Sequence, residues 1–119
     1  MYKRQPLATP SAAALKAAVA TRVDAMYPWS EAIYKDLHAH PEIAFQETRS
    51  AGKLAGEMRK LGFEVTEKVG RTGLVALLRN GAGPTVLVRT ELDGLPMEEK
   101  TGLPYASRAR AQGLSLIHI

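Results

Sequence analysis

Apolar residues after Pro10 recur at helical spacing, with Leu15, Ala18, Val19, Val23 and Met26 on one face. Ser11 precedes the run and is a candidate N-cap, because its hydroxyl can accept from a free backbone N–H of the first turn. Pro28 has no amide to donate, so it is expected to break or redirect this helix. Ser30 then reads as the cap of a second helix. Trp29 and Tyr34 occupy hydrophobic-staple positions around it, and Ile33 and Leu37 share a face. Pro41 ends that helix and biases His40 to extended backbone. A third helix is the most sharply marked. Glu47 at its start suits the positive end of the helix dipole. Ala51, Leu54, Ala55, Met58 and Leu61 make a stripe, Arg59 and Lys60 fill the last turn, and Gly62 is a natural C′ residue. The stripe is narrow and rich in small residues, which predicts close packing on a sheet.

The period then changes from helical to extended. Phe63–Glu67 alternates apolar and polar, as a half-buried strand does. Leu74–Leu78 is a continuous apolar run of the kind covered on both faces. Asn80-Gly81-Ala82-Gly83 supplies turn residues, and Thr85–Arg89 reads as a further buried strand. The runs 74–78 and 85–89 are expected to pair as an antiparallel hairpin. Helices followed by buried strands give an α/β layer architecture, helices on a central sheet, with the sheet incomplete in this chain.

Composition narrows the class without changing that picture. Across 119 residues, 45% are apolar and 24% charged, which is ordinary for a globular domain. The net charge of +4 is spread among interspersed acids, and only 6% of residues are aromatic. That pattern speaks against nucleic acid as a partner. No cysteine is present, so a disulfide scaffold is excluded. No apolar run approaches the roughly 20 residues of a membrane span, and no membrane partner is expected. The Ala-rich stretch from Leu7 to Ala14 fits either the end of a secretion signal or the start of the first helix. The compartment, cytoplasmic or exported, therefore stays open.

The ends read as foreign. Met1-Tyr2-Lys3-Arg4-Gln5 and Leu114-Ser115-Leu116-Ile117-His118 can be encoded by opposite strands of one DNA segment, GTG TAT AAG AGA CAG and its reverse complement. The pair resembles a transposon end used to prepare sequencing libraries. Residues 1–5 and 114–119 are accordingly expected to be adaptor-derived, which leaves 6–113 as the stretch that carries the fold. The alternative is a natural apolar tail. Leaving out Lys3 and Arg4 lowers the formal charge from +4 to +2.

Chemistry concentrates at Arg89-Thr90-Glu91-Leu92-Asp93-Gly94-Leu95-Pro96. Glu91 and Asp93 are two apart at the end of an expected strand, so period two puts both carboxylates on one face. Sites in α/β sheets cluster outside the carboxyl ends of strands. Two carboxylates there can orient a histidine, bind a metal or perturb each other. The pattern alone is also that of two solvated acids. His38 and His40, two apart on a helix, point to different faces and form no ready metal pair. His38 reads as a structural or substrate-side histidine rather than a ligand. No phosphate loop, Gly-x-Ser-x-Gly elbow or cysteine nucleophile is present.

Taken in order, Asp36-Leu37-His38-Ala39-His40-Pro41-Glu42, Phe45-Gln46-Glu47, Leu61-Gly62-Phe63 and Arg71-Thr72-Gly73-Leu74 resemble the opening of hippuricase-like and auxin-conjugate-hydrolase-like amidohydrolases. The likeness continues through Val88–Pro96 and Thr101-Gly102-Leu103-Pro104-Tyr105-Ala106-Ser107. These enzymes form the amidohydrolase branch of the zinc-dependent aminoacylase and metallopeptidase family. The resemblance implies hydrolysis of an N-acyl amino acid or a small peptide-like amide. It also implies a divalent metal, zinc or else manganese or cobalt, and a parent compatible with a homodimer. Glu91 matches the family's metal-binding His and Asp93 the Asp that orients a ligand or the base. The branch often carries an acid at the first position, which weakens position 91 as a ligand. The branch's Cys-Gly-His-Asp-x-His segment, expected after Ser107, does not occur in this chain, so the chain alone is expected to be inactive. A second reading is a truncated, non-catalytic module that binds a partner or dimerises through a sheet edge.

Overall fold

The structure is a computed structural model that describes residues 10–110. The adaptor-like ends lie outside the described residues. The chain divides between Tyr34 and Lys35 into two compact units. The elements are α1 (Ala12–Ala39), α2 (Thr48–Lys60), β1 (Glu64–Val69) and β2 (Gly73–Leu77).

Helix α1 starts as its sequence predicts, with Ser11 Oγ accepting from the Ala14 amide at 3.2 Å. It does not stop at Pro28. One 28-residue helix replaces the two expected, with Pro28 inside it. An interior proline costs about 3 kcal/mol. Alanines recur on both sides of it and favour helix. Ser30 caps nothing. Its hydroxyl donates back to the Met26 and Tyr27 carbonyls at 3.2 and 3.0 Å, the bond a mid-helix serine makes to the preceding turn. Trp29 and Tyr34 are therefore helix-interior positions rather than a staple. The face carrying Leu15, Val19, Val23 and Met26 is exposed.

In the second unit, α2 ends in a Schellman arrangement. Phe63 N–H donates to Met58 O at 3.1 Å and Gly62 N–H to Arg59 O at 3.0 Å, with Gly62 at φ 86°. The turned chain runs directly into β1. Strands β1 and β2 pair antiparallel, Glu64 opposite Leu77 and Thr66 opposite Val75. Lys68, at φ 62°, is an extra residue between the pairs Glu67–Leu74 and Val69–Gly73, a β-bulge. The turn closes so tightly that a Cβ on Gly73 would lie 2.7 Å from the Val69 carbonyl oxygen. Helix α2 packs on both strands. Its small residues make the core, with Ala51, Ala55 and Ser50 buried.

The expected hairpin between residues 74–78 and 85–89 is not formed. Leu74–Leu77 instead pairs with the preceding strand, across a three-residue turn that costs little closure entropy. Gly81 and Gly83 adopt positive φ, as turn residues should. Thr85–Arg89 nevertheless joins no strand, and Val86, Leu87 and Val88 are 82%, 86% and 88% exposed. A strand of this composition needs cover on both faces. Among the described residues α2 covers one face of one hairpin, and nothing covers 85–89.

Candidate functional site

Residues 36–50 form a knot of polar contacts between the end of α1 and the start of α2. Arg49 donates to both Asp36 carboxylate oxygens, at 2.8 and 2.9 Å, and Lys53 Nζ lies 3.2 Å from the same group. The Arg49 hydrogen bonds hold the Asp36 carboxyl below its ordinary range, against the opposing effect of burial. His40 Nδ1 donates to the Asp36 carbonyl at 2.8 Å. Glu42 accepts the Arg49 amide on Oε1 at 2.9 Å and the Ser50 amide on Oε2 at 2.7 Å. It thereby satisfies two of the free N–H groups of the first turn. Glu47 stands at the N-cap position but makes no capping bond. Its buried carboxylate accepts from the Thr72 hydroxyl and so ties the hairpin turn to the helix. Burial raises the Glu47 carboxyl, but the Thr72 hydroxyl and nearby backbone donors outweigh that and leave it lowered.

His38 is buried in a second network. Its Nε2 donates to Glu99 Oε1 at 2.8 Å, and the Tyr105 ring meets it edge-on at 5.3 Å between centroids. Lys35 Nζ lies 5.5 Å from the centre of the Tyr105 ring. Glu99 also accepts from the Thr101 hydroxyl and, on Oε2, from the Ser107 amide at 2.6 Å. The Thr101 hydroxyl, then His38 and the Ser107 amide, outweigh burial and lower the Glu99 carboxyl to about 2. His38 is thus a buried histidine tied into the fold through Glu99. Glu99 gave no signal, because Glu98-Glu99-Lys100 reads as a solvated charge run.

Glu91 and Asp93 do not stand at the end of a regular strand, because residues 85–93 form none. Glu91 is exposed and ion-paired with Arg89 at 2.7 Å. Asp93 is half-buried and immediately precedes an anchor. That anchor is Gly94, buried, whose amide donates to the Glu42 carbonyl at 2.7 Å in a parallel bridge beside Ile43. Among the described residues no group of three or more His, Cys, Asp or Glu side chains is placed to hold a metal. His38 Nε2 is bound to Glu99, His40 Nδ1 to the Asp36 carbonyl and Glu91 to Arg89. Two carboxylates without imidazole or thiolate rarely hold zinc tightly.

No family model matches the chain. Individual proteins do. A Synechocystis protein named "Probable hydrolase" is 45% identical over 78 residues, 64% of this chain and 20% of its own length. The hippurate hydrolase of Campylobacter jejuni is 37% identical over 79 residues, 66% of this chain and 21% of its own length. The chain spans about a fifth of the length of the curated relatives it matches. A Bacillus subtilis protein, described in its crystal structure as a dinuclear metal-binding peptidase of the M20 family, superposes with a TM-score of 0.67 at 29% identity. That match covers 80% of this chain and 26% of the other. The homologues of this chain are hydrolases of the M20 amidohydrolase family, and its α/β arrangement matches part of an M20 peptidase.

Proposed function

We propose that this chain is a segment of a metal-dependent hydrolase that cleaves the amide bond of N-acyl amino acids or small peptide-like amides. The observation that carries the reading is the likeness, in sequence and in fold, to a dinuclear metal-binding peptidase. The hippurate hydrolase among the relatives supports the substrate class, since hippurate is an acylated amino acid. Zinc, or manganese or cobalt, is the metal proposed, with small molecules as substrates. Asp93 is the proposed site carboxylate. Its neighbour Gly94 is fixed to the Glu42 carbonyl, so the backbone that carries Asp93 is held in place. Glu91 is proposed beside it as the outer, more solvated acid. The 119-residue chain alone is proposed to be inactive.

The test is to sequence the source DNA past the codon for Arg110. A Cys-Gly-His-Asp-x-His segment downstream supports the reading. A native stop codon directly after Ile119 contradicts it.

One observation favours the second reading, a module that pairs with a partner through a sheet edge. Val86, Leu87 and Val88 present a strand-like apolar run to solvent. Such a run recruits another chain when nothing covers it.

A further inference from the structure

We infer that His38 and Glu99 are positioning residues for Asp93. The inference rests on the reading of Asp93 as a site residue, and it adds a role for two side chains that the proposed chemistry does not use. The segment from Gly94 to Ser107 is pinned at both ends. At one end the Gly94 amide is held by the Glu42 carbonyl at 2.7 Å. At the other the Glu99 carboxylate gathers His38 Nε2, the Thr101 hydroxyl and the Ser107 amide. Both pins attach to the same stretch of chain, because His38 lies in the last turn of α1 and Glu42 four residues on. Glu42 is itself fixed, since its carboxylate is bound to the first turn of α2.

The loop is therefore a closed circuit, α1 to Glu99 to Gly94 to Glu42 and back, with Asp93 just outside the Gly94 pin. Both side chains of the pair are almost wholly out of solvent, 5% and 0% exposed. A buried carboxylate whose donors are withdrawn must find others or shift. Loosening the Glu99 end frees the loop to move about the Gly94 end, and that motion displaces Asp93. Displacements of about 1 Å at a reacting site cost on the order of 100-fold in rate.

Glu99→Gln tests this with little change of shape. A carboxamide has one accepting oxygen, so at least one of the three donors faces an N–H instead. In the 119-residue chain, hydrogen exchange should quicken about ten-fold at the Ser107 amide and at least about three-fold at the Gly94 amide. In the full-length protein, with hippurate as the probe, kcat should fall about ten-fold or more while KM stays within about three-fold. Thr101→Val, which removes one donor and keeps the carboxylate, is read the same way if Glu99→Gln does not fold. Faster exchange at Ser107 with Gly94 unchanged overturns the inference, because the pair would then be a local clasp. So does a KM that rises with kcat unmoved. Asp93→Asn is the control. If it turns over hippurate at the unsubstituted rate, the reading of Asp93 fails, and the exchange data alone then judge whether the two ends are coupled.

Discussion

Truncating Glu42 should unfasten the start of α2. The first three amides of that helix have no intrahelical acceptor. Thr48 N–H donates to Gln46 O at 2.7 Å, and the Arg49 and Ser50 amides both depend on Glu42. Losing a capping side chain costs about 1 kcal/mol and up to about 2. Hydrogen bonds to a charged acceptor contribute about 1.5–3 kcal/mol each when buried. Glu42 is only half-buried and its side chain must be ordered, so the lower end applies. We expect Glu42→Ala to cost about 2 kcal/mol, and Glu42→Gln, which keeps one accepting oxygen, about 1. Urea unfolding followed by far-ultraviolet circular dichroism would show this as a midpoint lowered by about 1 M for Ala, with slopes near 2 kcal/mol/M. Residue-resolved hydrogen exchange locates the effect, since Arg49 and Ser50 should lose protection first. Glu47→Ala is the contrast. It stands at the N-cap position but binds Thr72, so it should loosen the hairpin turn and leave those two amides protected. A Glu42→Ala variant within about 0.5 kcal/mol of the unsubstituted chain, or a Glu47→Ala variant that exposes the same two amides, would refute the assignment.

Gly73→Ala should destabilise by about 1–3 kcal/mol in the same urea assay, because its Cβ would press on the Val69 carbonyl. Gly52→Ala, on an open face of α2, should instead gain about 0.5–1 kcal/mol. The Glu99 carboxyl, lowered in the fold from 4.5 to about 2, contributes stability that is fully present above pH 4.5 and lost as pH falls from 4.5 to about 2. Acid titration of Glu99→Gln should accordingly be flatter over that window, and identical acid limbs would count against the buried network. Leu87→Lys should reduce self-association of the 119-residue chain, measured by light scattering, without moving its urea midpoint, because Leu87 is 86% exposed. Unchanged association would leave the edge-pairing reading without support.

What the sequence made legible was local. Helix α2 carries its signals within a few residues of each end. Gly62 closes it, Arg59 and Lys60 fill its last turn, and its small-residue stripe meets the sheet as expected. The strands were legible as segments but not as partners. Apolar runs at 74–78 and 85–89 look alike, and period alone does not say that β2 turns back on β1, Glu64–Val69, instead. Pro28 was misread because its cost is local while the favourable propensities on both sides extend over 28 residues. The His38–Glu99 contact joins residues 61 apart in the chain, where no periodicity reaches. The short motif Asp36–Glu42 carried part of the family resemblance. Each of its polar side chains proves to be spent on holding the chain together: Asp36 on Arg49, His38 on Glu99, His40 on the Asp36 carbonyl and Glu42 on α2. Glu91 and Asp93 were found by residue type and spacing. The regular strand that was to place them on one face is not there.

The most direct test of the hydrolase reading is to purify the full-length protein containing this segment and follow release of glycine from hippurate, before and after chelation. The account predicts turnover that chelation abolishes and that added zinc, manganese or cobalt restores. It also predicts a loss of about 10- to 100-fold in Asp93→Asn. Hydrolysis that persists at full rate after metal removal, or no release from hippurate or any N-acyl amino acid with metal supplied, would contradict it.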